Sequence, residues 1–323
     1  MGLRTLTLAA LAFLGVGAQA FAAPHDIRID DLNVYPESMS SGPDGSLYVG
    51  SMKGIVFRAK PGADVAEPWI HPSAENGILS LLGVLADGRS RTLWLCSSPS
   101  TLRSPPAVGV SALMAFDLKT GARKGAYPLP APASACNDIT VAKDGSAFAT
   151  DTPNGRIFIL KPGAKQLELF AADDRLKGID GIVFSGDGTL YLNIVGKGQL
   201  MRVERGPDGA FKGLTELILS QSIAGPDGFR LISGNKFLLA EGNSGKIDEV
   251  TIVGDHADIK VLRAGLTSPP GVTRIGRTAY GLEGKIVYLF DPKLKGQDPN
   301  PFVVRAIPME SGPMGSGPME DGH

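Results

Sequence analysis

A chain of 323 residues is long enough for two ordinary domains or for one large all-β domain. Its 32 basic and 33 acidic residues leave a formal net charge of −1, without the basic excess that neutralises phosphates, which argues against nucleic acid or an anionic lipid surface as a partner. The 42 glycines and 24 prolines follow no collagen-like period and suit a fold with many tight turns.

The first residues read MGLRTLTLAALAFLGVGAQAFAAP. Arg4, an apolar run too short to span a bilayer and an Ala18-Gln19-Ala20 cleavage pattern predict an export signal over residues 1–20. The mature protein is then periplasmic or secreted, with no membrane attachment after cleavage. From Glu37 onward six segments repeat one pattern: an apolar strand, a Gly-containing turn and a second strand rich in aromatic and β-branched residues. The turns centre on Gly45, Gly88, Gly145, Gly188, Asn235 and about Gly276, at intervals of 43, 57, 43, 47 and about 41 residues. That period is the size of a four-stranded propeller blade. Third and fourth strands follow most hairpins, as in GRIFILK and QLELFA after Asp151. A Pro/Ser/Val-rich insertion from Pro99 to Gly109 accounts for the long interval. The reading is an all-β, six-bladed β-propeller of four-stranded antiparallel blades around a central channel, over residues 26–307. Closure falls to DIRIDDLN from Asp26, with FVVRAI from Phe302 a second candidate. Residues 308–323, rich in Gly, Pro and Met, are expected to be disordered.

In a propeller the first strand of each blade lines the channel. Eight residues before each turn residue stand Glu37, Ser80, Asn137, Asp180 and Asp227, with Pro270 at about the matching place in the sixth repeat. Three carboxylates and an amide thus converge at one end of the axis. Two carboxylates about 4 Å apart repel by ~4 kcal/mol at an effective dielectric near 20, and a divalent cation resolves the conflict. Hard oxygen ligands favour Ca²⁺, with Mg²⁺ or another divalent cation as the alternative. Asp44, Asp87, Asp144 and Asp187 read as hairpin-turn residues instead. The second strands end near the same place with Ser97, Asp151, Asn193, Glu241 and Glu283. Among these, Asn193 and Glu241 are candidates, with Asn137, for binding substrate; solvated strand ends are the alternative. Cys96 and Cys136, the only cysteines, lie at the same end of neighbouring blades, which favours a disulfide over two buried free thiols.

At these residues the sequence resembles the SMP-30/gluconolactonase/LRE-like family of six-bladed, calcium-dependent propellers, over nearly the whole mature chain. Glu37 in PESMS, Asn137-Asp138 in CNDITVAKDG, GIDGIVFSGDGTLY around Asp180 and GPDGFRL around Asp227 carry the resemblance. It implies a glutamate, two asparagines and an aspartate around the metal, with Asp227 as proton acceptor in hydrolysis. Asp180 stands where the family has its second asparagine, and Ala135 where sugar-lactone hydrolases carry an arginine; the latter argues against gluconolactone as substrate.

Two functions follow. One is an exported, metal-dependent hydrolase of a lactone or related small-molecule ester, the cation polarising the carbonyl and Asp227 acting as general base. The other is a non-catalytic propeller that binds a ligand or partner through its top face, with a structural Ca²⁺. None of the four histidines occupies an inner-strand position and no G-x-S-x-G motif occurs, which disfavours histidine- or serine-based hydrolysis. The sequence carries no signature of oligomeric state.

Overall fold

Successive hairpins give the chain its order. In the computed structural model, which describes residues 24–100, 106–130 and 133–309, a short strand β1 (Ile27–Ile29) comes first. Next are β2 to β5 (Pro36–Ser41, Leu47–Ser51, Val56–Ala59, Val65–Ile70) and β6 to β9 (Ser80–Asp87, Thr92–Ser98, Ala112–Asp117, Arg123–Pro128). β10 to β13 (Cys136–Val141, Ala147–Asp151, Arg156–Leu160, Glu168–Ala172) and β14 to β17 (Ile179–Phe184, Leu190–Ile194, Gln199–Arg205, Phe211–Glu216) follow. The last are β18 (Ile218–Leu219), β19 to β22 (Pro226–Ser233, Lys236–Glu241, Lys246–Val253, His256–Arg263), β23 (Gly271–Ile275), β24 (Thr278–Glu283) and β25 (Val303–Pro308). A single helical turn, α1 (Val287–Phe290), interrupts the final meander. The export signal expected at 1–20 lies outside the described residues, as do residues 310–323 of the tail expected at 308–323, whose first residue, Pro308, instead ends β25.

The protein is all-β and built from four-stranded antiparallel sheets. β6–β9, β10–β13 and β14–β17 each form one, and β19–β22 form another to which β18 adds in parallel. The remaining sheet has eight strands in the order β2-β3-β4-β5-β1-β25-β24-β23. Here β1 pairs antiparallel with β25 and parallel with β5, so both closure candidates are used: β25 as the third strand after β23 and β24, β1 as the fourth. Bonding both edges of this three-residue strand leaves no free edge at the seam. The leading strands touch in a closed cycle, β2 to β6, β10, β14, β19, β23 and back to β2.

Local chemistry explains the turns. Asp44, Asp144 and Asp187 each accept the backbone N–H two residues on, at 3.0, 2.8 and 2.9 Å, while Gly45, Gly145 and Gly188 take φ of 81°, 89° and 90°, which only glycine adopts without strain. The core lies between neighbouring sheets. Tyr48 and Val56 pack on Leu93, Leu95 and Phe116, and Val183 and Leu200 pack on Phe229, Phe237 and Val250. Such sheet-to-sheet burial fixes the angular position of each leading strand, and with it the residues at its start.

Candidate active site

Five of the six leading strands begin with bulges. Pairing with the second strand shifts between Pro36 and Ser38, Leu81 and Val84, Cys136 and Ile139, Ile179 and Ile182, and Pro226 and Phe229. The extra residues are re-aimed toward the channel. They are Glu37, Leu82-Gly83, Asn137-Asp138, Asp180-Gly181 and Asp227-Gly228. Glu37, Asn137, Asp180 and Asp227, which the sequence brings together, line one narrow pit with Asp138 and Pro270. Ser80 does not join them: its hydroxyl donates to the Met52 carbonyl at 2.7 Å, and Leu82 takes the bulge position. The hairpin after β6 is shorter on the inner-strand side, so a fixed count from the turn overshoots by two residues.

Glycine at the second bulge position lets adjacent strands meet. A Cβ at Gly83 would run into the Asn137 carbonyl and one at Gly181 into the Asp227 carbonyl; Gly228 donates its N–H to the Pro270 carbonyl at 2.9 Å. Asp138 breaks this pattern. Its carboxylate accepts the Ile182 N–H at 3.1 Å and grips Arg230 through two parallel bonds, Nη1 to Oδ2 at 2.7 Å and Nη2 to Oδ1 at 2.8 Å. Both side chains are buried. Sequence reading missed this pair, although an Asp where other repeats have glycine, and an Arg three residues after Asp227, were visible signals.

Electrostatics of the pit follow from crowding. Burial, then the charges of Asp180 and Asp138, push the Glu37 carboxyl well above the usual range, with Arg230 opposing. Burial and then Asp180, Glu37 and Asp138 do the same to Asp227. Asp180 is pushed up to about 7 by burial and by Asp138, against a hydrogen bond from Asn137 and the Arg230 charge. Burial works against the charged form of Arg230, but Asp138 outweighs it and keeps the guanidinium protonated.

The second layer has a different role from the one expected of it. Asn193 is fully buried and spends its amide on backbone: Oδ1 accepts the Gly181 N–H at 3.1 Å and Nδ2 donates to the Asp227 carbonyl at 2.5 Å. Glu241, also buried, accepts the Ala224 N–H and the Ser244 hydroxyl. Both side chains thus brace the framework beside the pit, and neither is among the residues that line the pit or the cleft above it, where substrate was expected to meet them. Ser97 accepts the Leu79 N–H at 2.8 Å, Asp151 the Ala135 N–H at 2.9 Å and Glu283 the Thr267 N–H at 3.3 Å. Each pins the loop that enters the leading strand of its own sheet. Cys96 and Cys136 are bonded as a disulfide across two sheets, with Cα atoms 5.0 Å apart.

Above the pit opens a cleft of about 780 Å³, with Glu37 and Asp227 on its floor and Val195, Leu266 and α1 in its walls. At the opposite, turn-bearing end lies a second hollow of about 720 Å³ that reaches Arg230. The Arg230–Asp138 pair stands between the two. Among the described residues no three His, Cys, Asp or Glu side chains already form a ready-made metal donor group. The chemistry of the donor set nonetheless fits a hard cation: three carboxylates and the Asn137 amide crowd one pit, and Glu37 and Asp227 are both raised by burial and then by the Asp180 charge.

No protein-family model matches the sequence, and no curated protein is similar to it. Solved structures share the fold. A luciferin-regenerating enzyme superposes with a TM-score of 0.63 at 11% identity, over 90% of this chain and 98% of that one. A gluconolactonase from Xanthomonas campestris gives 0.61 at 17% identity, over 86% and 88%. Virginiamycin B lyase from Staphylococcus aureus gives 0.57 at 12%, over 88% and 99%. The first two are propellers of the SMP-30/gluconolactonase/LRE-like kind that the sequence resembles. At such identities the likeness speaks for the fold, a β-propeller.

Proposed function

We propose that this protein is an exported six-bladed propeller that hydrolyses a lactone or related ester with the help of a divalent cation, Ca²⁺ before Mg²⁺. The six-bladed reading is supported by counting the eight-stranded sheet as two four-stranded units joined at β1 and β5, in keeping with the cycle of six leading strands. The observation that carries the function is the meeting of Glu37, Asn137, Asp180 and Asp227, from four sheets, in one pit beneath an open cleft. These residues would hold the cation, which when bound supplies Lewis acidity toward a carbonyl oxygen.

The chain's own groups divide the remaining work. Asp227 lines both pit and cleft, so its carboxylate can take a proton from a water in the cleft. Asn137 Nδ2 donates to the Thr152 hydroxyl at 2.8 Å, which fixes the amide plane and leaves its oxygen toward the pit. Arg230 holds Asp138 aside, so that a fourth carboxylate does not compete at the same point. Export is supported by the disulfide, since such bonds persist in oxidising compartments.

The test is a lactone and aryl-ester panel with purified protein, metal content measured in parallel. The expected result is one bound divalent ion, turnover abolished by chelator and restored by Ca²⁺, and a loss of about 10²–10⁴-fold in kcat for Asp227→Asn without loss of fold. The second reading, a non-catalytic binding propeller, is favoured by Arg230, an internal cation that already offsets part of the pit's charge. Full occupancy by metal with no turnover on any member would establish it in place of the hydrolase.

A further inference from the structure

The cleft above the carboxylates has an apolar wall and, among the described residues, no cation. Ile286, Val287 and Phe290 face it from α1 and the residue before it, Val195 and Leu266 face it from the loops of two other sheets, and among its lining residues none is Lys, Arg or His. Phe290 stands on the rim and is 62% exposed. A single exposed aromatic is ordinary on a protein surface, but five apolar side chains from three loops in one concavity are not. The turn that presents Phe290 is anchored: the Lys285 ammonium below it donates to the Pro299 and Pro301 carbonyls at 2.8 and 2.7 Å, and the Asp291 N–H closes on Val287 at 2.9 Å.

Charge restricts the ligand further. Asp138 is matched by Arg230, which leaves Glu37, Asp180 and Asp227 facing the cleft end of the channel. One divalent cation would reduce that formal charge from −3 to −1, still repelling an anion. A polyhydroxylated ring would also meet hydrocarbon along the α1 side, where its hydroxyls find no partner.

We infer that the cleft selects an uncharged lactone or ester carrying an alkyl or aryl arm, the arm lying along Ile286, Val287 and Phe290 while the carbonyl faces Asp227. For turnover this rests on the hydrolase reading; for binding it does not. In such a half-open apolar groove each added methylene improves kcat/KM by roughly two- to fourfold until the arm passes the rim.

The experiment compares γ-lactones bearing methyl to decyl arms with gluconolactone and with a carboxylate-bearing lactone. The corresponding non-hydrolysable lactams are titrated calorimetrically against the Ca²⁺-loaded protein and against Phe290→Ala. Expected are kcat/KM and lactam affinity that climb with arm length, and a loss of about five- to tenfold in Phe290→Ala for long arms with none for methyl. Phe290→Leu should recover most of that loss. A flat length profile, or preference for the hydroxylated or anionic ring, overturns the inference. Length-dependent lactam binding without hydrolysis of any lactone overturns the hydrolase reading and leaves this inference standing.

Discussion

Two layers of polar residues lie at one end of the channel, a few residues apart along the same hairpins, and they differ in what their oxygens meet. In the inner layer Glu37, Asp180 and Asp227 meet one another, and burial, then the charge of neighbouring carboxylates, raises their affinity for protons. In the outer layer Ser97, Asp151, Glu241 and Glu283 meet backbone N–H groups of the loops that enter the leading strands, and Asn193 meets the Gly181 N–H inside one of those strands. Residue type alone does not separate these roles. Saturation does: a buried acceptor that is fully bonded holds the frame, and one left facing like charge is available for chemistry.

The largest way to break the comparison is to remove Arg230, the cation that stabilises the inner layer. Arg230→Met leaves Asp138 charged and buried, and is expected to cost about 3–5 kcal/mol in urea unfolding. Adding Asp138→Leu should recover most of that loss, because a fully apolar pair leaves no uncompensated charge. Replacing both Cys96 and Cys136 by serine opens a link across a separation of 40 residues and should cost about 2–4 kcal/mol by the same measurement.

A paired substitution sets the layers directly against each other. Asn193→Ala strips partners from the Gly181 N–H and the Asp227 carbonyl and should destabilise by about 2–3 kcal/mol. Asp180→Asn, in the inner layer, relieves repulsion and should stabilise the metal-free protein by about 1 kcal/mol at pH 8. If both destabilise equally, the distinction between the layers fails.

The smallest effect concerns Asp248, an outer-layer neighbour that breaks its layer's rule. It is fully buried, no backbone N–H is bonded to its carboxyl, and burial, then the hydrogen bond and charge of the neighbouring Glu241 carboxyl, push it up to about 8, with Lys246 opposing. Its folded-state value lies above its unfolded one, so the folded state binds the extra proton and stability falls as pH rises from about 4 through about 8. Asp248→Asn cannot lose that proton. Its advantage over the unsubstituted protein should therefore grow by about 1–2 kcal/mol between pH 6 and pH 8 in thermal unfolding, and a constant gap would refute the assignment.

Much of this molecule is legible in the sequence because a propeller repeats. Asp-Gly turns in the first four repeats, other Gly-containing turns in the last two and alternating apolar strands mark the hairpins, and a constant count from the turn finds Glu37, Asn137, Asp180 and Asp227. The count fails at Ser80, where the bulge falls two residues later, at Leu82. Asp138 escapes it for a similar reason: whether a bulged residue faces the channel or a neighbouring strand depends on pairing register, which composition does not encode. The cleft's apolar wall escapes as well, since Val195, Leu266 and Phe290 belong to loops that no period governs.

The sequence by itself determined the hairpins, their number and the acids at their starts, since strand periodicity and turn chemistry are local. Only the tertiary structure decided which acids stay exposed to one another, that Arg230 reaches across the channel to Asp138, and that Asn193 and Glu241 are spent on backbone. Those outcomes depend on distances between residues tens of positions apart, set by how the sheets pack around the axis.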